Sequence, residues 1–230
     1  MAVYKIFPTK DTTLYSFYPA MNTGLDAIVE TTNTLNLELE PGVSRYLMQF
    51  DNDEIQDIFT NKIGSKTYDV YLKNFIATAQ GINADTTVEI RPNAQSWDNG
   101  TGHYLDSPQV TDGASWGFRN YSGSGLWSMT GSYGDYQYTG SYDTTYSTLG
   151  GGNWYYDGPS GSLYVVVGYV LPSYITGSNI VLPNTSSFGL REVKDIEVNV
   201  NNIMDIWDSE LIPNYGFIVK LSGSEEFNTS

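Results

Sequence analysis

Short strand-forming runs between turn residues, few charges and many aromatics predict an all-β fold: a jelly-roll-like β-sandwich interrupted by an aromatic-, Gly- and Ser-rich loop insertion. Charged residues are only 16% of the 230 and aromatics 14%, a balance that suits pleated, half-buried surfaces rather than a solvated coil. No βαβ unit is legible, which argues against a parallel α/β sheet. At this length the chain buries a core without staples, as one large β-domain or one domain with a sizeable insertion.

Taken in order, Val3-Tyr4-Lys5-Ile6-Phe7 is the first strand candidate, and Ala27-Ile28-Val29-Glu30-Thr31 follows the turn-like Asn22-Thr23-Gly24. Leu35-Asn36-Leu37-Glu38-Leu39 alternates strictly, as a half-buried strand does. Pro41-Gly42 breaks that run, and Ser44-Arg45-Tyr46-Leu47-Met48-Gln49-Phe50 resumes it. A helix of one or two turns fits Asp53 to Phe59, with Asp51 or Asn52 as its cap. The stretch from Lys66 to Ile76 predicts the longest strand, and Thr86 to Arg91 another before Pro92. Beyond the insertion, the apolar run Leu163 to Val170 reads as a strand buried on both faces. Asp195 to Val200 alternates again, Asn201-Asn202 caps a short helix from Ile203 to Trp207, and Pro213-Asn214 turns into a last strand, Tyr215 to Leu221.

The domain plan is therefore 1–92 as the first part of the sandwich, 93–162 as the insertion and 163–230 as the second part. Within the insertion Tyr, Gly, Ser and Trp dominate and apolar periodicity is weak. Its tryptophans are costly to leave in water, so an ordered loop-rich region is expected rather than a flexible linker. Trp97, Trp116, Trp127, Tyr133, Tyr136, Tyr138 and Trp154 form the candidate interface, because such rings offer large, rigid contact area at low entropy cost. Internal packing of the loops and sugar stacking are the competing readings of the same rings.

Charge and composition narrow the function. A net charge of −15 repels phosphate backbones, so no nucleic-acid partner is expected. The absence of cysteine removes thiol nucleophiles and Cys-ligated metals. Met1 to Pro8 lacks the apolar core of a secretory leader and no stretch reaches membrane-span length, so a soluble chain without a membrane partner is expected. His103 is the only histidine and has no Gly-x-Ser-x-Gly elbow to serve, so it reads as a loop histidine beside aromatics. Glu89, Asp98, Asp106 and Asp112 lie near the Trp-rich region, where a glycosidase pair is the enzymatic alternative. Asp51-Asn52-Asp53-Glu54 has the oxygen ligands of a cation site but not the EF-hand spacing, and a helix cap accounts for it better. No catalysis, cofactor or metal is expected, and folding should be indifferent to chelator.

Two sets of segments carry a resemblance. Lys10-Asp11-Thr12-Thr13-Leu14, then Asn22-Thr23-Gly24, then Arg45-Tyr46-Leu47-Met48-Gln49-Phe50-Asp51 resembles the opening of DNRLRE-type β-sandwich domains. Asp195 to Val200 with Ile203 and Trp207, followed by Ile212-Pro213-Asn214-Tyr215-Gly216-Phe217, is similar to the closing hairpin of that family. The DNRLRE string itself is absent. Such domains resemble carbohydrate-binding modules and occur in structural proteins of large marine tailed bacteriophages. The resemblance implies a virion component of the tail, neck or surface appendages, held among other virion proteins in multiple copies. The alternative it implies is a carbohydrate-binding module that attaches to host-surface glycans. It also implies further strand-forming sequence after the last hairpin. Only Ser222 to Ser230 follow here, so an unpaired edge bearing Val219 and Leu221 is expected, covered by a neighbouring subunit or by continued chain.

Overall fold

The computed structural model describes residues 2–35, 41–78, 86–122, 125–127, 150–157, 163–165, 173–175, 184–188 and 195–226. Its strands are β1 (Pro8–Tyr15), β2 (Thr32–Leu35), β3 (Pro41–Phe50), β4 (Tyr71–Asn74), β5 (Thr86–Pro92), β6 (Phe118–Asn120), β7 (Gly125–Leu126), β8 (Tyr156–Asp157), β9 (Leu163–Val165), β10 (Ser173–Ile175), β11 (Asn184–Phe188), β12 (Ile196–Asn199) and β13 (Phe217–Leu221). The helices are short: α1 (Asn52–Asp57), which runs on as a π-helical stretch over Ile58–Ile63, α2 (Asn201–Asp208) and α3 (Gly223–Glu226). Among the described residues the pairing is antiparallel, and the chain is all-β, as expected.

The largest sheet runs β1-β3-β13-β5-β11, with β2 paired to the first half of β3. Its register sets Tyr46 opposite Val219 and Val219 opposite Ile90, with Leu47 opposite Ile218. Successive side chains leave opposite faces of a strand. Tyr46, Met48, Val88, Ile90, Phe217 and Val219 thus share one face, and Val43, Leu47 and Ile218 share the other. All nine are buried, so both faces of this sheet are covered. That double burial is why β13 reads as the continuous apolar run Phe217-Ile218-Val219 rather than alternating.

The first face packs on a two-stranded sheet of β4 and β12 and on α2, giving the layering of a sandwich. Leu72, Ile196 and Val198 point inward, and Trp207 of α2 sets its ring 4.8 Å from that of Phe217. Leu72 is buried on this face, so Leu72→Asp is expected to cost several kcal/mol, on the order of 3–5, through an unpaired buried charge. An unchanged melting temperature would remove β4 from the core.

Several expected elements are shifted, each for a local reason. The first strand lies at Pro8–Tyr15 rather than Val3 to Phe7, because its partner β3 ends opposite Pro8 and turns into the cap of α1. Ala27 to Thr31 is loop, its backbone held by side chains: Thr13 Oγ1 accepts from the Glu30 N–H and Ser44 Oγ donates to the Glu30 carbonyl. The long strand from Lys66 to Ile76 shrinks to four residues, since Asn201 Oδ1 takes the Val70 N–H and Asp195 Oδ1 takes the Ile76 N–H. Of the run Leu163 to Val170 the described part, β9, pairs with β8 and β10; Val166 and those after it lie outside the described residues. The cap of α1 is as expected, Asp51 accepting from the Asp53 and Glu54 N–H groups.

The expected free edge at β13 is overturned. This strand sits in the middle of the sheet, bonded to β3 on one side and β5 on the other. After Leu221 the chain folds back instead of ending in a strand: Ser222 donates its N–H to Thr87 and its carbonyl receives the N–H groups of Glu225 and Glu226.

The insertion is not a separable unit either, as far as it is described. Ala94 N–H bonds to the Asn153 carbonyl, and Tyr155 N–H to that of Pro92, which stitches the segment 150–155 to the end of β5. Ala114, Trp97, Trp116, Trp127 and Trp154 form one cluster with Leu14, Val43, Leu47 and Ile218. These loops are the cover of the second face of the main sheet.

Candidate functional site

The four tryptophans expected at an interface are buried: Trp97 is 2% exposed, Trp116 2%, Trp127 4% and Trp154 0%. They offer no area to a partner, and for them the contact-surface reading is replaced by core packing. Tyr133, Tyr136 and Tyr138 lie outside the described residues. Two of these rings, Trp116 and Trp154, also cover buried charge. Arg45 of β3 stacks its guanidinium 4.9 Å from the Trp116 ring and 5.0 Å from that of Trp154, while Lys220 lies 5.7 Å from the Trp154 ring. Arg45 forks onto Glu226 of α3 through Nε at 2.6 Å and Nη2 at 2.9 Å, and Lys220 reaches the same carboxylate at 3.3 Å. Side chains of Arg45, Lys220 and Glu226 are fully buried. The run Gly150-Gly151-Gly152 makes room for this arrangement. All three have positive φ, and a Cβ on Gly151 would lie 2.7 Å from both Arg45 Nη1 and the Trp116 ring.

Three of the four carboxylates singled out in the sequence are engaged in side-chain bonds. Glu89 accepts from Arg91 and lies 3.6 Å from Lys220, Asp112 accepts from the Thr101 N–H and hydroxyl, and Asp106 accepts from the His103 N–H. Burial opposes ionisation of Asp112, but the Thr101 hydroxyl and N–H bonds, together with its own backbone N–H, hold its carboxyl below the ordinary value. Asp98 is exposed. Among the described residues no group of three or more His, Asp or Glu is placed to hold a metal ion.

What the fold does bring to the surface is a tyrosine cluster that joins Tyr104 to two tyrosines from a distant part of the sequence. Tyr15 ends β1, Tyr18 lies in the turn after it, and Tyr104 stands in the loop that follows β5. The Tyr104 ring lies 5.0 Å from Tyr15, tilted by 57°, and 5.9 Å from Tyr18, edge-on at 81°. Tyr104 remains 42% exposed, Tyr18 39% and the adjoining Leu105 88%. Carboxylates flank the rings. Tyr15 donates its hydroxyl to Glu30 at 2.9 Å, and the Tyr104 N–H reaches the two Asp26 oxygens at 3.2 and 3.3 Å. His103 Nδ1 lies 3.5 Å from Asp26. Burial, then the Glu30 hydrogen bond and charge, push the Tyr15 phenol far above its ordinary value, and burial with the Tyr18 hydroxyl raises that of Tyr104.

A buried amide junction holds these loops in place. Asn22 donates to the carbonyls of Asn99 and Ala114 and accepts from the N–H groups of Gly24 and Gly102. Asn99 completes it, donating to the Gly24 carbonyl and accepting from the Asp11 N–H on β1. Gly100 has φ +77°, and a Cβ there would lie 2.3 Å from Asn22 Oδ1. Asn22→Ala strands several buried partners at once and is expected to cost about 2–4 kcal/mol, read from the shift in urea midpoint at constant m. The Asn-x-Gly signal in the sequence was legible as a turn; its role as a hub joining two distant loops was not.

A second exposed feature is the segment before β1. Val3 is 70% exposed and Phe7 76%, with Tyr4 also open, while Ile6 alone packs against the first core cluster.

Compared with family models, curated proteins and solved structures, the chain matches none of them.

Proposed function

We propose that this chain is a non-enzymatic structural component of a bacteriophage virion, placed in the tail, neck or surface appendages and held by protein–protein contact in multiple copies. The observation that carries the reading is the apolar segment before β1. Three large side chains, Val3, Tyr4 and Phe7, stay in water on a stretch tethered to the core through Ile6. Exposed apolar area of this kind is characteristic of contact surfaces. The ordered motifs that resemble phage β-sandwich domains support the same assignment. So does the use of Glu89, Asp106, Asp112 and Arg45 in bonds that hold the fold.

Mass spectrometry of purified particles tests the location: the chain is expected in the virion, and its absence there would overturn the reading. The mode of contact is tested by Val3→Ser with Phe7→Ser. Surface changes of this type alter stability by only about 0.5 kcal/mol. The double variant is therefore expected to fold normally and to be depleted from particles.

A further inference from the structure

We propose that the segment before β1 of one copy docks on the surface of Tyr18, Leu25, Tyr104 and Leu105 of a second copy, with Lys5 facing Asp26 and Glu30. Such docking supplies the receptor for the segment read above as a contact surface, and it rests on that reading.

Residues 2–7 read Ala-Val-Tyr-Lys-Ile-Phe, with Lys5 as their one charge. Val3, Tyr4, Lys5 and Phe7 are exposed, and Ile6 packs on the core. The segment is out of reach of the tyrosine surface on its own chain. Pro8 lies opposite Phe50 and Tyr15 opposite Ser44, so the segment leaves one end of β1 and the rings stand at the other. The two ends are about 24 Å apart at the usual rise of a strand. Ile6, two residues before Pro8, is held at the near end, and the four residues 2–5 beyond it span at most about 14 Å. A contact between the two surfaces is therefore a contact between copies.

The receptor is apolar in the middle and acidic at its edge. Leu25 donates its N–H to the Gly102 carbonyl, and Asp26 beside it accepts from the Tyr104 N–H, which places Leu25 next to the rings. Tyr18, Leu25, Tyr104 and Leu105 are all exposed there. Asp26, Glu30 and Asp106 flank them. Val3 and Phe7 match the rings and leucines, and the Lys5 ammonium matches the carboxylates and the ring faces. Charge selects this segment as the occupant. With 11 Lys and Arg against 26 Asp and Glu, copies repel one another except where a cation is offered. Residues 2–7 offer one among apolar side chains and carry no carboxylate. The Asn22–Asn99 junction holds the receptor loops in shape before contact, which lowers the cost of docking. Six residues cover less than the roughly 800 Å² per side of a standard interface, so the pairing is weak between free copies and gains from many copies in one particle.

The chain has no cysteine, so introduced thiols report the contact without background. Full-length Phe7→Cys and Leu105→Cys proteins, one carrying a mass tag, are mixed at high concentration under a mild oxidant. Disulfide-linked mixed pairs are expected at several times the level of random pairing, with both melting temperatures unchanged. Adding Lys5→Glu to the Phe7→Cys protein should cut their yield about tenfold, because it sets a carboxylate against Asp26 and Glu30. Mixed pairs at the random level overturn the proposal, as does a yield untouched by Lys5→Glu. Phe7→Cys linking in purified particles to a different virion protein, and not to Leu105→Cys, assigns the segment to that partner and also overturns it. The two readings fail separately: a chain missing from particles removes the virion assignment and leaves the cysteine pairing standing, whereas a chain present in particles whose thiols do not pair removes only the docking.

Discussion

Glu226→Ala is expected to destabilise the protein by about 3–5 kcal/mol, a large fraction of the roughly 5–15 kcal/mol that a domain of this kind has in total. Glu226 is the anion between Arg45 and Lys220, all three without solvent contact. Removing it takes the shared carboxylate from two buried cations, of which Lys220 keeps Glu89 at 3.6 Å. Glu226→Gln keeps the shape and part of the hydrogen bonding, so its loss should be smaller. The triple change Arg45→Met, Lys220→Met, Glu226→Leu removes the charges together and should recover most of the stability, since buried ion pairs contribute little over well-packed apolar groups. Urea unfolding of the four proteins checks the order. A Glu226→Ala protein as stable as wild type would show that α3 does not close the sheet face.

Deleting 93–162 with a short linker is expected to abolish cooperative unfolding rather than leave a folded sandwich. The described part of that stretch carries Trp97, Trp116, Trp127 and Trp154. Without them Leu14, Leu47 and Ile218 lose their cover, and so do Arg45 and Lys220. A narrower version is Trp154→Ala, expected to cost about 3–5 kcal/mol as a large buried ring is replaced by a cavity beside two cations. Circular dichroism in the near ultraviolet and a urea titration decide both. A deletion variant with a sharp transition near that of wild type would return the region to the status of an appendage.

The parts of the fold legible in the sequence are those governed by near neighbours. Period-two alternation located β3, β5 and β12 within a few residues, and the Asp51 cap followed from capping chemistry; the short helix near Trp207 is present, but Asn201 and Asn202, expected as its cap, lie inside α2, which begins after Val200 with no side-chain cap. These depend on groups a few positions apart, so one stretch of chain carries the whole signal. That Trp97, Trp116, Trp127 and Trp154 are costly to leave in water was legible for a similar reason: burying indole is favourable wherever it goes.

Where it goes was decided only by the tertiary structure. The last strand reads the same at an edge or in the middle of a sheet, and its place between β3 and β5 depends on pairing with a strand from the other side of the insertion. Glu226 in its acidic tail looks like a solvated residue until Arg45, 181 positions earlier, is laid under it. Tyr15, Tyr18 and Tyr104 carry no local mark of a shared surface, because the Asn22 junction that unites them joins loops from opposite ends of the first half of the chain. The sequence alone thus determined strand-forming pattern and composition, while strand order, the burial of charge and the assembly of the tyrosine surface came from long-range contacts, whose energies have no counterpart in any single window of residues.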